Sequence, residues 1–358
     1  MKRIPITIKL KTEESYHVII GDDILTQLDK LIDFSIYTKL VVITDETTGK
    51  WWHKKLMHAL PQNASTITLP PGEKAKTIYT IEIIWKELLK ICCDRKSLVI
   101  NFGGGGISDM GGFATSTFMR GVDFINIPTT LLAQVDASVG GKTGFNFAGI
   151  KNLIGNFTQP KAVIIDVAVL TTLPEREFLS GFAEIIKHGL ITDKNYFKKV
   201  TSKKPLLFSS EELVEIITRS CEIKAAIVAQ DEKESGKREL LNFGHTIGHA
   251  IEALSLETKN PLLHGEAISI GMSAEAVIAH KIGLLSKDAS KIIKEKLNEA
   301  GLPTTLPDFK REKIIEKIKS DKKNFAGNIN FSLLKQIGEG VCNQSVSEKI
   351  IKSVLANI

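Results

Sequence analysis

The sequence predicts an α/β protein in two parts: an open, Rossmann-like sheet alternating with helices over residues 1–173, then a mostly α-helical part over residues 174–358. Three observations carry that expectation. Short runs rich in Val and Ile recur through the first half, bounded by turn residues or glycine, as strands buried on both faces of a parallel sheet are. After Leu173-Pro174 such runs become scarce and helical periodicity takes over. Finally, 358 residues that are 43% hydrophobic and 25% charged can fill a packed core and are long enough for about two domains.

Taken in order, residues 4–10 and 16–20 alternate in polarity and read as an N-terminal pair of strands with one wet face. Residues 39–44 (KLVVIT), 97–102 (SLVINF), 124–127 (FINI) and 162–166 (AVIID) read as the buried strands. In a sheet of this kind ligands bind at the carboxyl ends of the strands. Pro174 suits the first turn of a helix. Helices are expected over 174–190, 211–230, 242–254, 264–283, 287–300 and 310–319.

Charge and cysteine content narrow the function. A net charge of +6, from 47 Lys+Arg against 41 Asp+Glu, falls short of the basic footprint of a nucleic-acid binder but leaves room for a local anion site. The four cysteines, Cys92, Cys93, Cys221 and Cys342, lack C-x-x-C spacing, so reduced thiols are expected and zinc on cysteine is not. MKRIPITIKLK has no continuous apolar stretch or cleavage site. The most apolar later segment, 267–285, is interrupted by Glu275, His280 and Lys281. A cytoplasmic protein with no membrane partner is the expectation.

Several segments carry residues suited to chemistry. FGGGGISDMGGF, residues 102–113, places four glycines between a strand and a helix, where backbone can approach a phosphate and a helix N-terminus offers free N–H groups. It departs from G-x-G-x-x-G, yet a nucleotide site outweighs a plain turn. Asp45, ending the 39–44 run, stands where an acidic residue can bind a ribose. NFGHTIGHAIE, residues 242–252, sets His245 and His249 four apart on one helix face. Thr246 stands where an H-E-x-x-H peptidase has its glutamate, which disfavours that class. His264 lies at a helix start, and Glu184 and Lys187 share the helix beginning at Pro174. Any one of these histidines can be explained by local hydrogen bonding, but the set, with Glu184, points to a metal site. Lys142 in SVGGKTG resembles a P-loop lysine, but Asp136 replaces the required glycine, so a nucleotide kinase is disfavoured. Arg120, Lys142, Lys151, Asn152, Lys224, Arg238 and Asn242 form a recurring series of anion-binding types. The lysine-rich runs 194–204 and 310–323 read as exposed faces.

Six separated blocks together resemble the 3-dehydroquinate synthases: GGGGISDMGGFATSTFMRG from Gly103, IPTTLLAQVDASVGGKTGFN from Ile127, KNLIGNF from Lys151, GFAEIIKHGL from Gly181, LLNFGHTIGHAIE from Leu240 and LHGEAISIGM from Leu263. The resemblance implies an NAD-binding N-terminal domain, a helical metal-binding C-terminal domain and a homodimer. It implies Zn2+ or Co2+ on Glu184, His245 and His264, with His249 displaced to a proton-relay role. NAD+ contacts are implied at Asp45, Glu73, Lys76, Gly105, Gly106, Ile107, Ser108, Asp109, Thr129 and Thr130, with Lys142 and Lys151 at the border of cofactor and substrate. Asp136, Lys142, Lys151, Asn152, Lys187, Lys224, Arg238 and Asn242 are implied in the substrate pocket, with Lys322 or Lys323 beside them, and Arg120 is implied to reach the neighbouring subunit's substrate. The implied reaction converts 3-deoxy-D-arabino-heptulosonate 7-phosphate to 3-dehydroquinate and phosphate by transient oxidation, elimination, reduction, ring opening and aldol closure. Three positions depart from the usual pattern: Gly106 replaces an aliphatic residue, Ser108 a glycine and Pro71 an aspartate. The alternatives are another sugar phosphate cyclase, a metal-dependent alcohol or glycerol dehydrogenase, whose first ligand is usually Asp where Glu184 stands, and a non-enzymatic nucleotide- or nucleic-acid-binding module.

Overall fold

The computed structural model of the protein describes residues 15–234, 236–320 and 329–358. Its first half builds a parallel sheet from β1 (His17–Gly21), β2 (Leu40–Asp45), β3 (Ser65–Leu69), β4 (Leu98–Gly103), β5 (Asp123–Pro128) and β8 (Ala162–Asp166), in the spatial order β1-β8-β5-β4-β2-β3. The two strands between, β6 (Lys142–Phe147) and β7 (Ile150–Phe157), form a separate antiparallel hairpin. Helices α1 (Leu28–Leu31), α2 (Glu46–His58), α3 (Ile78–Lys90) and α4 (Gly105–Thr117) connect the strands. Every residue of β2, β4 and β8 is buried, which matches their unbroken Val/Ile runs. Two apolar clusters cover the two sheet faces, one around Val41, Ile43, Val99 and Met110, the other around Val42, Leu98, Ile100 and Ile164.

The second half is α5 (Glu175–Thr192), α6 (Lys194–Val200), α7 (Ser210–Val228), α8 (His245–Ser255), α9 (His264–Lys281), α10 (Lys287–Glu299) and α11 (Arg311–Ser320), then a hairpin of β9 (Ile329–Gln336) and β10 (Glu339–Val346), and α12 (Glu348–Leu355). Its core continues into the first half through Leu131, Val135, Val163 and Ile165.

Chain order fixes where a ligand can enter. The chain steps from β2 outward to β3, then crosses back so that β4, β5 and β8 build in the other direction. The connections therefore leave the carboxyl ends of β2 and β4 on opposite sides and open a crevice between them.

Three expectations need correction. The run at 16–20 is a strand, but β1 pairs in parallel with β8 at the sheet edge, while residues 4–10 lie outside the described residues. β3 (STITL) is an edge strand whose threonines hide its apolar alternation. The helical half also carries the β9–β10 hairpin, whose inner residues Phe331, Leu333 and Leu334 pack into the helical core.

Candidate active site

The crevice at the ends of β2 and β4 encloses about 320 Å³ and is lined by Asp45, Thr48, Gly104, Gly106, Thr129 and Thr130, with Pro71 and Glu73 at its rim. Asp45 ends β2 and caps α2, accepting from the Thr47 and Thr48 N–H groups at 2.9 Å each. β4 runs into α4 through Gly103 and the N-cap Gly104, so the amino end of α4 faces the crevice. A Cβ at Gly106 would meet nothing within 4 Å, so this residue leaves the cleft open where an aliphatic side chain would narrow it. Ser108 sits inside α4 with a helical backbone, so a serine strains nothing there. Pro71 takes its place in the cleft wall.

On the other side of the crevice, three helices converge. Glu184 of α5, His245 at the first residue of α8 and His264 at the first residue of α9 bring one ligand atom each within 4.8 Å of one another. The Nε2 atoms of His245 and His264 lie 3.8 and 3.7 Å from Glu184 Oε1. Two metal–ligand bonds of about 2.1 Å span separations up to about 4.2 Å, so one ion can join these atoms. Each ring is oriented from its other nitrogen: His245 Nδ1 faces the Phe243 carbonyl at 3.2 Å and His264 Nδ1 faces Glu252 Oε2 at 3.4 Å. Both Glu184 oxygens are buried; Oε2 pairs with Lys187 and Oε1 faces the two imidazoles. A buried carboxylate facing two imidazole nitrogens is a donor set that fits Zn2+ or Co2+.

The three groups are strongly coupled electrostatically. Burial pushes the Glu184 carboxyl up, but Lys187 and the two histidines outweigh it and hold it well below the usual range. Burial and Lys187 keep His245 neutral. His264 is raised to about 10, because Glu184 and Glu252 override the effect of burial. His249 is exposed, with its ring 4.9 Å from that of His245 and 5.9 Å from that of His264.

Most of the cations are held by an acidic or amide side chain. Lys76 is buried and pairs with Asp109 and Asn152. Lys151 pairs with Glu252 at 2.7 Å and reaches Glu73 at 4.0 Å, joining the crevice side to the metal side. Lys224 pairs with Asp136. Lys142 pairs with Glu234, whose other oxygen accepts from Asn242 Nδ2 at 2.7 Å. Arg238 is buried and donates to the Gly140 carbonyl at 3.1 Å.

Family comparison bears directly on this arrangement. Residues 66–180 match the family model for the 3-dehydroquinate synthase N-terminal region, and residues 181–324 match that for the C-terminal region. The chain belongs to the 3-dehydroquinate synthase family. A 3-dehydroquinate synthase of Thermodesulfovibrio yellowstonii is 43% identical over 350 residues, covering 96% of this chain and 97% of the relative. Among solved structures, a 2-epi-5-epi-valiolone synthase from Streptomyces hygroscopicus, with NAD+ and Zn2+ bound, superposes with a TM-score of 0.88 at 25% identity over 98% of both chains. A 2-deoxy-scyllo-inosose synthase complexed with carbaglucose-6-phosphate, NAD+ and Co2+ superposes with a TM-score of 0.86 at 25% identity, over 94% of this chain and 95% of that one.

For a member of this family, most residues singled out from the sequence converge on one region. Two sets do not. Arg120 is exposed, at a left-handed φ of 67°, and makes no hydrogen bond or ion pair among the described residues. Lys322 and Lys323 lie outside the described residues. Sequence reasoning passed over Glu252, Glu234 and His188. Glu252 was legible in principle, since it follows His245 by seven residues and His249 by three on one helix face. Glu234 is brought to Lys142 by tertiary folding, with no local signal. His188 is fully buried beside Glu184 and hydrogen-bonded to Ser220 at 2.6 Å.

Proposed function

We propose that this chain catalyses its family's reaction, converting 3-deoxy-D-arabino-heptulosonate 7-phosphate to 3-dehydroquinate and inorganic phosphate, in the shikimate route to aromatic amino acids. The observation that carries the reading is the fully buried Glu184 carboxylate, which faces His245 and His264 and pairs with Lys187. Glu184, His245 and His264 would hold Zn2+ or Co2+, and the crevice from Asp45 to Thr130 would hold NAD+. When bound, the nicotinamide supplies a hydride acceptor and donor and the ion supplies Lewis acidity.

The chain's own residues do the rest by binding and orientation. Arg238, Asn242 and Lys224 form a set suited to the substrate carboxylate, and Lys142, Lys151 and Asn152 are placed to meet the other anionic end. Asp109, Glu73 and Lys76 link the cofactor side to Asn152 and Lys151, so nucleotide and substrate are read by one connected network. Fixed cations stabilise the charge that develops as phosphate leaves, and His249, exposed beside His245, can carry protons between the site and solvent.

The same reading includes an NAD-binding domain at 1–173, a metal- and substrate-binding domain at 174–358, a homodimer in which Arg120 completes the neighbour's site, and a cytoplasmic location. No helix among the described residues is long and apolar enough to cross a membrane. A second reading, another sugar phosphate cyclase, is favoured by the likeness to the valiolone and inosose synthases. Arg238, Asn242 and Lys224 weigh against it, because a sugar without a carboxylate leaves that set unfilled.

The test is phosphate release by purified protein given the heptulosonate phosphate, NAD+ and Zn2+ or Co2+, with NADH absorbance followed alongside. Phosphate without net NADH, stopped by a chelator, is the expected result. Accumulating NADH would instead make it a dehydrogenase.

A further inference from the structure

We propose that Glu275 is the positioning residue for His245: from α9 its buried carboxyl caps the amino end of α8 and so fixes the backbone on which that ligand stands. The inference rests on the metal reading above.

Helix α8 begins with a deficit. Its N-cap, Gly244, has no side chain to accept the orphan N–H groups of the first turn and sits at a left-handed φ of 82°. Gly244 and Ile247 are both buried, so water is not available to do so. The acceptor comes from the neighbouring helix. Glu275 Oε2 accepts from Gly244 N at 2.6 Å and Oε1 accepts from Ile247 N at 3.1 Å. Glu275 is completely buried, and no cation pairs with it among the described residues. Burial pushes its carboxyl up to about 8, and the groups pulling it back down are the backbone N–H groups of Ile247, Gly244 and Thr246.

An unpaired acid is costly to bury, so a glutamate here needs a partner, and the amino end of α8 is the one it has. The crossing of α8 and α9 makes the reach possible. A Cβ at Gly271 would lie 2.9 Å from both the Gly244 carbonyl carbon and Gly248 N, so the two backbones touch one turn before Glu275.

The link to the metal site runs through the helix ends. His245 and His264 each occupy the first residue of a helix, so what fixes each helix end fixes the side chain it presents. Each end is met by an acidic side chain of α9: Glu275 on α8, and on α9 itself Glu266, which accepts from Leu263 N at 2.8 Å. One helix therefore carries one ligand, its own cap and the cap of the helix that carries another.

The experiment titrates Co2+ into metal-free wild type, E275Q, E275A and H245A, reading the dissociation constant and the visible d–d bands, with urea unfolding of each metal-free protein alongside. E275Q keeps the shape but turns an amide donor toward the N–H groups. Its Co2+ dissociation constant should rise roughly 10- to 100-fold, the usual effect of removing an outer partner of a ligand, with shifted bands. Should E275A fail to fold, E275Q decides alone. A folded E275Q with wild-type affinity and spectrum would overturn the inference and make Glu275 merely structural. Wild type that binds Co2+ no better than H245A would instead overturn the metal reading itself.

Discussion

Gly265 follows His264 at the start of α9, and its backbone N–H donates to Ser180 Oγ of α5 at 2.9 Å. A methyl there would come 2.6 Å from Ser180 Cα, 2.5 Å from its carbonyl carbon and closer still to the oxygen. Carbon atoms pack at about 3.5–4.0 Å, so in Gly265→Ala the start of α9 must retreat from α5 by about 1 Å. Glu184 stays on α5 while His264 moves with α9. Their present separation of 3.7 Å would then exceed the limit of about 4.2 Å that one shared ion allows. G265A should lose about 1–3 kcal/mol of stability through overpacking and bind Co2+ more than 100-fold more weakly. Urea unfolding of metal-free protein and Co2+ titration measure the two effects separately. A G265A variant that binds Co2+ within threefold of wild type would refute the claim that the α5–α9 backbone contact sets the ligand spacing.

Gly106→Ala places a methyl in open space on helical backbone, so it should raise stability by about 0.5–1 kcal/mol in thermal unfolding; destabilisation would mean the cleft is tighter than described. His188 is buried and neutral, with burial and Lys187 lowering it from 6.5 to about 3. Between those values the unfolded chain binds the extra proton, so stability is lost as pH falls below 6.5, by about 1.4 kcal/mol per unit. Denaturant unfolding of H188N between pH 6.5 and 4.5 should therefore show a shallower loss than wild type by about 2.3 kcal/mol, and parallel slopes would count against it. Glu252→Gln removes a charged partner of both His264 and Lys151; calorimetric Zn2+ titration should show roughly 10- to 100-fold weaker binding, and unchanged binding would deny Glu252 its orienting part.

The sequence declared what local pattern encodes. Buried strands announced themselves as β-branched runs, and four glycines after LVINF marked the turn into α4. The histidines were legible because helical spacing puts positions 245 and 249 on one face. What escaped depended on tertiary partners. The β6–β7 hairpin is rich in glycine and amides, because Gly144 and Gly155 lie face to face across it with no room for a side chain on either strand. Its apolar residues Phe147, Ile150 and Phe157 are exposed, which breaks the alternation a strand would show. Glu234 and Glu275 had no local signal, since each meets its partners only after distant segments pack. Glu275 even read, in the sequence, as an interruption of an apolar segment.

That same residue shows why the polar content of α9 belongs to the site rather than to the surface. A helix buried along nearly its whole length normally carries apolar residues, yet α9 buries Glu275 along with Ser269 and Ser273. Small residues let α9 cross α8 at backbone contact, and that closeness buries the Gly244 and Ile247 N–H groups. Once buried, the orphan N–H groups must be met from α9 itself, and only a side chain as long as glutamate reaches them from the next turn. Close packing, the buried acid and the placement of His245 are therefore one solution to one constraint: bringing two helix ends together beside Glu184.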